Sequence, residues 1–279
     1  MLRRTKILAS GVIVSLGMTS CSGGSRGDVA ASGVAPSSVS HLAVFEVPTP
    51  PLKLPNYRTS GTYPQVSSRK LNLKAVNAAL RSAVLRAQQQ YAALVRREWG
   101  STFPELFRPD YPYHGVYKTA PTLRLISAST VVVSALIPVL QVAPGGTGGG
   151  TWISVTVQVP SGAPVGIRDL FAEPSRGLKA LAGEVKRKVL STNSCVRQSV
   201  INERAFGLAY SVHGFDPSVR NYQYFALTAR GLAIGFAQDQ VGGSSCGPVE
   251  ATVPYDAVLR PYLSELGQKL IAGVRRPKG

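Results

Sequence analysis

The fold turns on the stretch VVVSALIPVLQVAPGGTGGGTWISVTVQV, residues Val131 to Val159. Two β-branched runs, Val131 to Val142 and Trp152 to Val159, flank Pro144-Gly145-Gly146-Thr147-Gly148-Gly149-Gly150. Valine, isoleucine and threonine are stiff at χ1 and suit a pleated surface, whereas proline and consecutive glycines interrupt it. The stretch therefore predicts a β-hairpin with a flexible tip. Around it, Leu123 to Ser129, Tyr224 to Thr228, Leu232 to Ala237 and Val249 to Val253 predict further strands, with a turn at Arg230-Gly231.

The flanks change period. Leu73, Val76, Leu80, Val84, Ala87, Tyr91 and Leu94 recur at spacings of three and four, which predicts a helix from Leu71 to about Trp99. Leu178, Leu181, Val185 and Val189 form a second apolar stripe. Tyr262, Leu263, Leu266 and Leu270 form a third, with Pro261 suited to a first helical position and Asp256 to a cap. Phe103 to Pro121 reads as an irregular, aromatic and proline-rich loop. Val47 to Pro64 holds five prolines and reads as an extended lead-in. Ser191 to Asp216 takes no assignment. Strands grouped between helices point to an α+β layer fold in one domain.

The N-terminus carries an address. Arg3, Arg4 and Lys6 precede the apolar run Ile7 to Met18, which is too short to span a bilayer and right for a signal peptide. Met18-Thr19-Ser20-Cys21 resembles a bacterial lipoprotein box. It implies cleavage before Cys21, a diacylglycerol thioether on its sulfur and an acyl chain such as palmitate on the new N-terminus. Ser22 to Ser40 is rich in Ser, Gly and Ala and reads as a tether. The expected organisation is a signal over 1–20, lipidated Cys21 and a tether over 21–62, and one domain over 63–279. The expected location is the extracytoplasmic side of the cell membrane.

The 279 residues carry a formal charge of +17, from 31 basic and 14 acidic side chains. Three basic residues leave with the signal, so the mature chain holds +14. At 44% hydrophobic residues and 16% charged, the composition excludes a disordered polyelectrolyte and a disulfide-dense miniprotein. Export points away from nucleic acid as the partner of so basic a chain. The expected partners are the membrane itself, anionic lipid or wall polymer, or another envelope protein. Lys186-Arg187-Lys188 and Arg275-Arg276-Pro277-Lys278 are the dense basic clusters.

Several segments together resemble a known family. They are Tyr63-Pro64-Gln65-Val66, Val76-Asn77-Ala78-Ala79-Leu80, Ile167-Arg168-Asp169-Leu170-Phe171, Phe225 to Leu232, Gly247 and Val253-Pro254-Tyr255. In order and spacing they are similar to the RsiV-like extracytoplasmic domain, found in a lysozyme-sensing anti-sigma factor, beside polysaccharide deacetylases and in secreted mycobacterial immunogenic proteins. The resemblance implies an α+β fold with a mixed, largely antiparallel sheet and packed helices. The metal-binding Asp and His residues of the deacetylase partner are absent from this sequence, as are a membrane span and a sigma-binding segment. A charge of +14 repels basic lysozymes at long range.

The chemistry-bearing residues are sparse. Gly243-Ser244-Ser245-Cys246-Gly247 spells G-x-S-x-G, but Pro248 and a β-like run follow Ser245, where a nucleophile elbow needs a helix. His41, His114 and His213 have no ligand-spaced partners, so neither a metal nor a cofactor is assigned. Asp110, Asp169, Glu173, Asp216 and Asp239 are the candidate acids for glycoside hydrolysis, which needs two carboxylates at a set separation. Asp169 also suits the cap of the turn after it. Cys195 and Cys246 are the two cysteines left once Cys21 is lipidated, and in an exported chain they predict a disulfide. No residue is assigned to ligand binding, and no catalytic residue is assigned. The expectation is a non-catalytic binding or sensing module for a wall component or envelope protein. The competing expectation is a hydrolase or accessory factor acting on wall glycans or esters.

Overall fold

The computed structural model describes residues 42–98, 100, 103–108, 110–146, 148–206, 210–255 and 258–274. Among them run strands β1 (Ala43–Pro48), β2 (Tyr57–Ser67), β3 (Gly115–Thr119), β4 (Ile126–Ala128), β5 (Val132–Val142), β6 (Gly148–Gln158), β7 (Phe225–Thr228), β8 (Gly231–Phe236) and β9 (Val249–Val253). The helices are α1 (Lys74–Glu98), α2 (Pro174–Thr192), α3 (Ser194–Ala205), α4 (Tyr210–His213) and α5 (Glu265–Val274). Cys21, His41, Asp256, the tether up to Ser40 and the cluster Arg275 to Lys278 lie outside the described residues.

The quoted stretch forms the hairpin it predicts: β5 and β6 pair antiparallel from Val132↔Gln158 to Val142↔Gly148. The other edge of β5 is shared. Val133 to Ala135 pair with β4, and Val139 to Val142 pair with β3. Pro138 falls between these two partners, where its missing N–H costs no ladder bond. Its carbonyl still accepts from Ala120 N, just beyond β3. β2 also divides its length. Tyr57 to Gly61 run parallel to β3, and Thr62 to Ser67 run antiparallel to β1. The change falls at Gly61, whose φ of +90° favours glycine and whose Cβ position lies 1.9 Å from Thr119 O. α1 is the crossover between the parallel strands β2 and β3, as a parallel pair requires. β7, β8 and β9 form a separate antiparallel sheet.

The result is the expected α+β fold with a mixed, mostly antiparallel sheet, stacked in four layers. Side chains alternate across a strand, so each sheet presents two faces. Val133, Ala135, Ile137, Ile153, Val155 and Val157 face α1 and pack with its Val76, Leu80, Val84 and Tyr91. Leu136 and Trp152 face the other way, onto Ala226 and Ala233 of the small sheet. Phe225, Leu227, Leu232, Ile234 and Phe236 then face Leu178, Leu181, Val185, Val196 and Leu270 of the outer helices. Each such side chain, fully buried, contributes about 1.5–3 kcal/mol.

The proline-rich lead-in turns out to hold the last two residues of β1 and most of β2, and among the described residues regular structure starts at Ala43. Proline costs little where its nitrogen faces away from a partner strand, so its density in Val47 to Pro64 disguises these strands. The loop read over Phe103 to Pro121 contains β3, and the strand read over Leu123 to Ser129 shortens to β4 after a 3-10 turn at Leu123–Leu125. The unassigned Ser191 to Asp216 contains α3, capped by Asn193 Oδ1 accepting from Val196 N at 3.0 Å, and α4. Pro261 sits in a 3-10 turn, Arg260–Tyr262, and the last helix starts later, at Glu265.

Candidate functional site

β6 pairs with β5 along one side, is engaged only at its ends along the other, and has α1 lying over it. Between them runs a groove of two adjoining chambers, of about 550 and about 390 Å³, which share Arg86 and Ser154. Its helical wall has small side chains, Ala79, Ser82, Ala83 and Ala87, and this leaves the space. Ala87 and Leu94 belong to the predicted apolar stripe of α1, yet they line this groove, and Leu94 is 39% exposed. The opposite wall is the segment from Val219 to Phe225. Arg86 and Arg97 are the charged residues of the lining, which holds no carboxylate; Arg97 pairs with its neighbour Glu98 at 3.0 Å.

The floor is held rigidly. Trp152 is wedged between the two sheets and donates from Nε1 to Phe236 O at 3.0 Å. Gly235 lies under its ring, where a Cβ would come within 2.7 Å of the indole. Ser154 Oγ donates to Phe225 O, and Ser134 Oγ accepts from Leu227 N at 2.8 Å. These contacts bolt the large sheet to the small one through main-chain groups.

A tyrosine cluster backs the groove. Tyr91 lines it, stacks edge-on against Tyr57 at 6.0 Å, and lies 5.7 Å from the ring of Tyr117. Burial pushes the hydroxyls of all three up from the usual tyrosine value, those of Tyr91 and Tyr117 the furthest. The Tyr117 side chain is fully buried, and its hydroxyl has no hydrogen-bond partner among the described residues. Such an orphan is uncommon in a folded chain.

The residues singled out from sequence fall elsewhere. Cys195 and Cys246 are joined in a disulfide with Cα atoms 5.6 Å apart, tying α3 to the turn Ser244–Cys246. Ser199 Oγ accepts from Gly243 N beside it, at 3.2 Å. Ser245 lies in that turn, with β9 after it and no helix. His213 Nδ1 pairs with Asp216 at 3.0 Å on the surface, and His114 Nδ1 contacts Asn56 Oδ1. Asp169 caps its turn by accepting from Gly166 N at 2.7 Å. Glu173 pairs with Arg176, and Asp110 with Arg108. Asp239 occupies a left-handed turn at φ +67°. None of these acids lines the groove. Among the described residues no group of three metal-ligating side chains converges, and no helix is long and apolar enough to cross a membrane. Arg187 of the basic cluster on α2 bonds Glu184, which holds that carboxyl below its usual range.

Sequence reasoning misses the groove because it depends on which edge of β6 stays open. The single hint was the run of alanines on α1 between its larger residues.

Residues 168–256 match the family model described as "Protein of unknown function (DUF3298)". They run from the turn before α2 through β9 and include both disulfide cysteines. No curated protein matches the chain. Among solved structures, a DUF3298 family member from Bacteroides fragilis is similar at 12% identity and a TM-score of 0.53, over 85% of this chain and 98% of that one. A DUF3298 family protein from Pseudomonas aeruginosa aligns at 10% identity and a TM-score of 0.44, over 81% of this chain and 94% of that one. The first likeness extends to the α+β fold, at very different sequence.

Proposed function

We propose that this chain is a lipid-anchored protein of the bacterial envelope whose RsiV-like domain acts as a non-catalytic binding or sensing module. The observation that carries the binding role is the groove: an open strand edge, roofed by a helix and flanked by Arg86, on a floor fixed by Trp152 and Ser154. Ligand sites of this kind are concave and largely preformed. The address rests on the positive n-region, the apolar run, the box ending in Cys21 and the tether. A disulfide in the domain suits an exported chain. Two acyl chains or more would make a stable anchor, at about 0.8 kcal/mol per buried methylene.

Two measurements test the reading. Cells expressing the chain should incorporate labelled palmitate into it, and Cys21→Ala should abolish incorporation; absence of label from the parent chain refutes the anchor. A photoreactive side chain at Gln90, on the groove wall, should give a discrete adduct with an envelope component, while one at Lys179 on α2 should not. Adducts at neither position refute the binding role of the groove.

A further inference from the structure

We infer that the groove is a strand-addition site, in which an extended, carboxylate-bearing segment of a partner protein pairs its main chain with the open edge of β6. This rests on the binding reading above and names the occupant.

The parity of β6 decides which of its main-chain groups face outward. Gly150 turns its main chain away from β5: its carbonyl accepts from Gln238 N at 2.8 Å, and its N–H donates to Gln238 Oε1. Thr156 and Gln158 also turn outward, toward Val165 N and Ala163 O. In an antiparallel strand the outward-facing groups recur at every second residue. Trp152 and Ser154 therefore direct their N–H and C=O groups outward as well. Among the described residues nothing pairs with them on that side. The ends of the edge are occupied and its middle is open, over a window of six residues' rise, about 20 Å.

Two properties of the window select the occupant. The first is the alternation of donors and acceptors. An extended peptide supplies both at the repeat of a strand, about 6.6 Å for every second residue, whereas the phosphodiesters of a wall polymer are acceptors alone. The second is charge. Every other side chain of an added strand would point toward α1, where Arg86 is exposed and no carboxylate answers it among the lining residues. Acidic side chains at alternate positions meet both demands. A strand edge roofed by a helix is a recurrent setting for such pairing, with main-chain bonds giving affinity and alternate side chains giving selectivity.

The test uses the full chain in detergent and three probes: a capped hexapeptide of alternating glutamate and valine, the same peptide with lysine for glutamate, and poly(glycerol phosphate). Hydrogen exchange should show the amides of Trp152 and Ser154 slowed about tenfold or more by the glutamate peptide at saturation. N-methylation of that peptide's main chain should abolish the effect. Arg86→Glu lies on an exposed helix face and leaves the core alone. It should weaken the glutamate peptide about three- to tenfold and favour the lysine peptide. If the peptide binds without slowing these two amides, strand addition is overturned while the groove remains a binding site. If the polymer alone protects the groove, the peptide is the wrong class of occupant. If no probe and no envelope adduct at Gln90 engages the groove, both the inference and the reading beneath it fail.

Discussion

Ser154 Oγ bridges both main-chain polar groups of Phe225, donating to its carbonyl at 2.6 Å and accepting from its N–H at 3.1 Å. One hydroxyl thereby sets the register between the edge strand of one sheet and the first strand of the other. Ser154→Ala leaves two partly buried main-chain groups without their partner. The expected loss is about 1–3 kcal/mol. Urea unfolding should show it as a lower midpoint at unchanged slope. A change in slope instead would mean that the sheets separate before global unfolding.

Gly235 tests the same interface sterically. A methyl there would meet the Trp152 ring at 2.7 Å. Gly235→Ala should cost about 1–3 kcal/mol through overpacking and shift the emission of Trp152, read in a Trp99→Phe background because the chain has two tryptophans. Unchanged emission and stability would mean the sheets yield freely at this point.

The disulfide closes 51 residues between α3 and the turn before β9. Chain-entropy reasoning gives about 4 kcal/mol for a loop of this length. Cys195→Ser with Cys246→Ser should lose up to that amount, and native protein should show no alkylatable thiol at either position. Two reactive thiols would contradict the pairing.

Tyr117 points the other way. Its buried hydroxyl has no hydrogen-bond partner among the described residues, so Tyr117→Phe removes a desolvation cost and should raise stability by about 1–2 kcal/mol. A fall on substitution would show that the hydroxyl is satisfied in solution.

The tyrosines also set a pH dependence. Tyr57, Tyr91, Tyr117 and Tyr222 are all raised above the usual value of 10.0, by burial first. Above pH 10 the unfolded chain sheds these protons and the folded chain keeps them. Their contribution is therefore complete below about pH 10 and falls as pH rises from there toward the folded values. An ultraviolet titration of native protein should fall at least three tyrosines short (Tyr91, Tyr117 and Tyr222) of the chain's 11, until unfolding releases them. A full complement titrating near pH 10 with the fold intact would contradict the burial.

Local pattern revealed the elements whose signal is local. The stripe Val76, Leu80, Val84, Tyr91 marks α1 because each residue faces one core, and the β5–β6 hairpin is marked by its own turn. β1, β2 and β3 escaped notice because their evidence is non-local. Gly115 to Thr119 is a strand chiefly because Tyr57 to Gly61, nearly 60 residues away, lies alongside it. From sequence Asp169 suits a cap for the turn after it, yet it closes the turn it sits in, accepting from Gly166 N three residues back. The groove was not legible: Arg86 resembles any solvated helix arginine until the edge of β6 appears beside it.

The partly closed edge of β6 also bears on solubility. An uncovered strand is a template for association with copies of the same chain. Here Gln238 stops one end, the Ala163–Val165 segment stops the other, and α1 overhangs the space between. A long, flat strand from a neighbouring molecule would collide with both stops before it registered, while a short flexible segment would fit. The same boundaries that admit a brief guest thus guard the molecule against growing into a fibre.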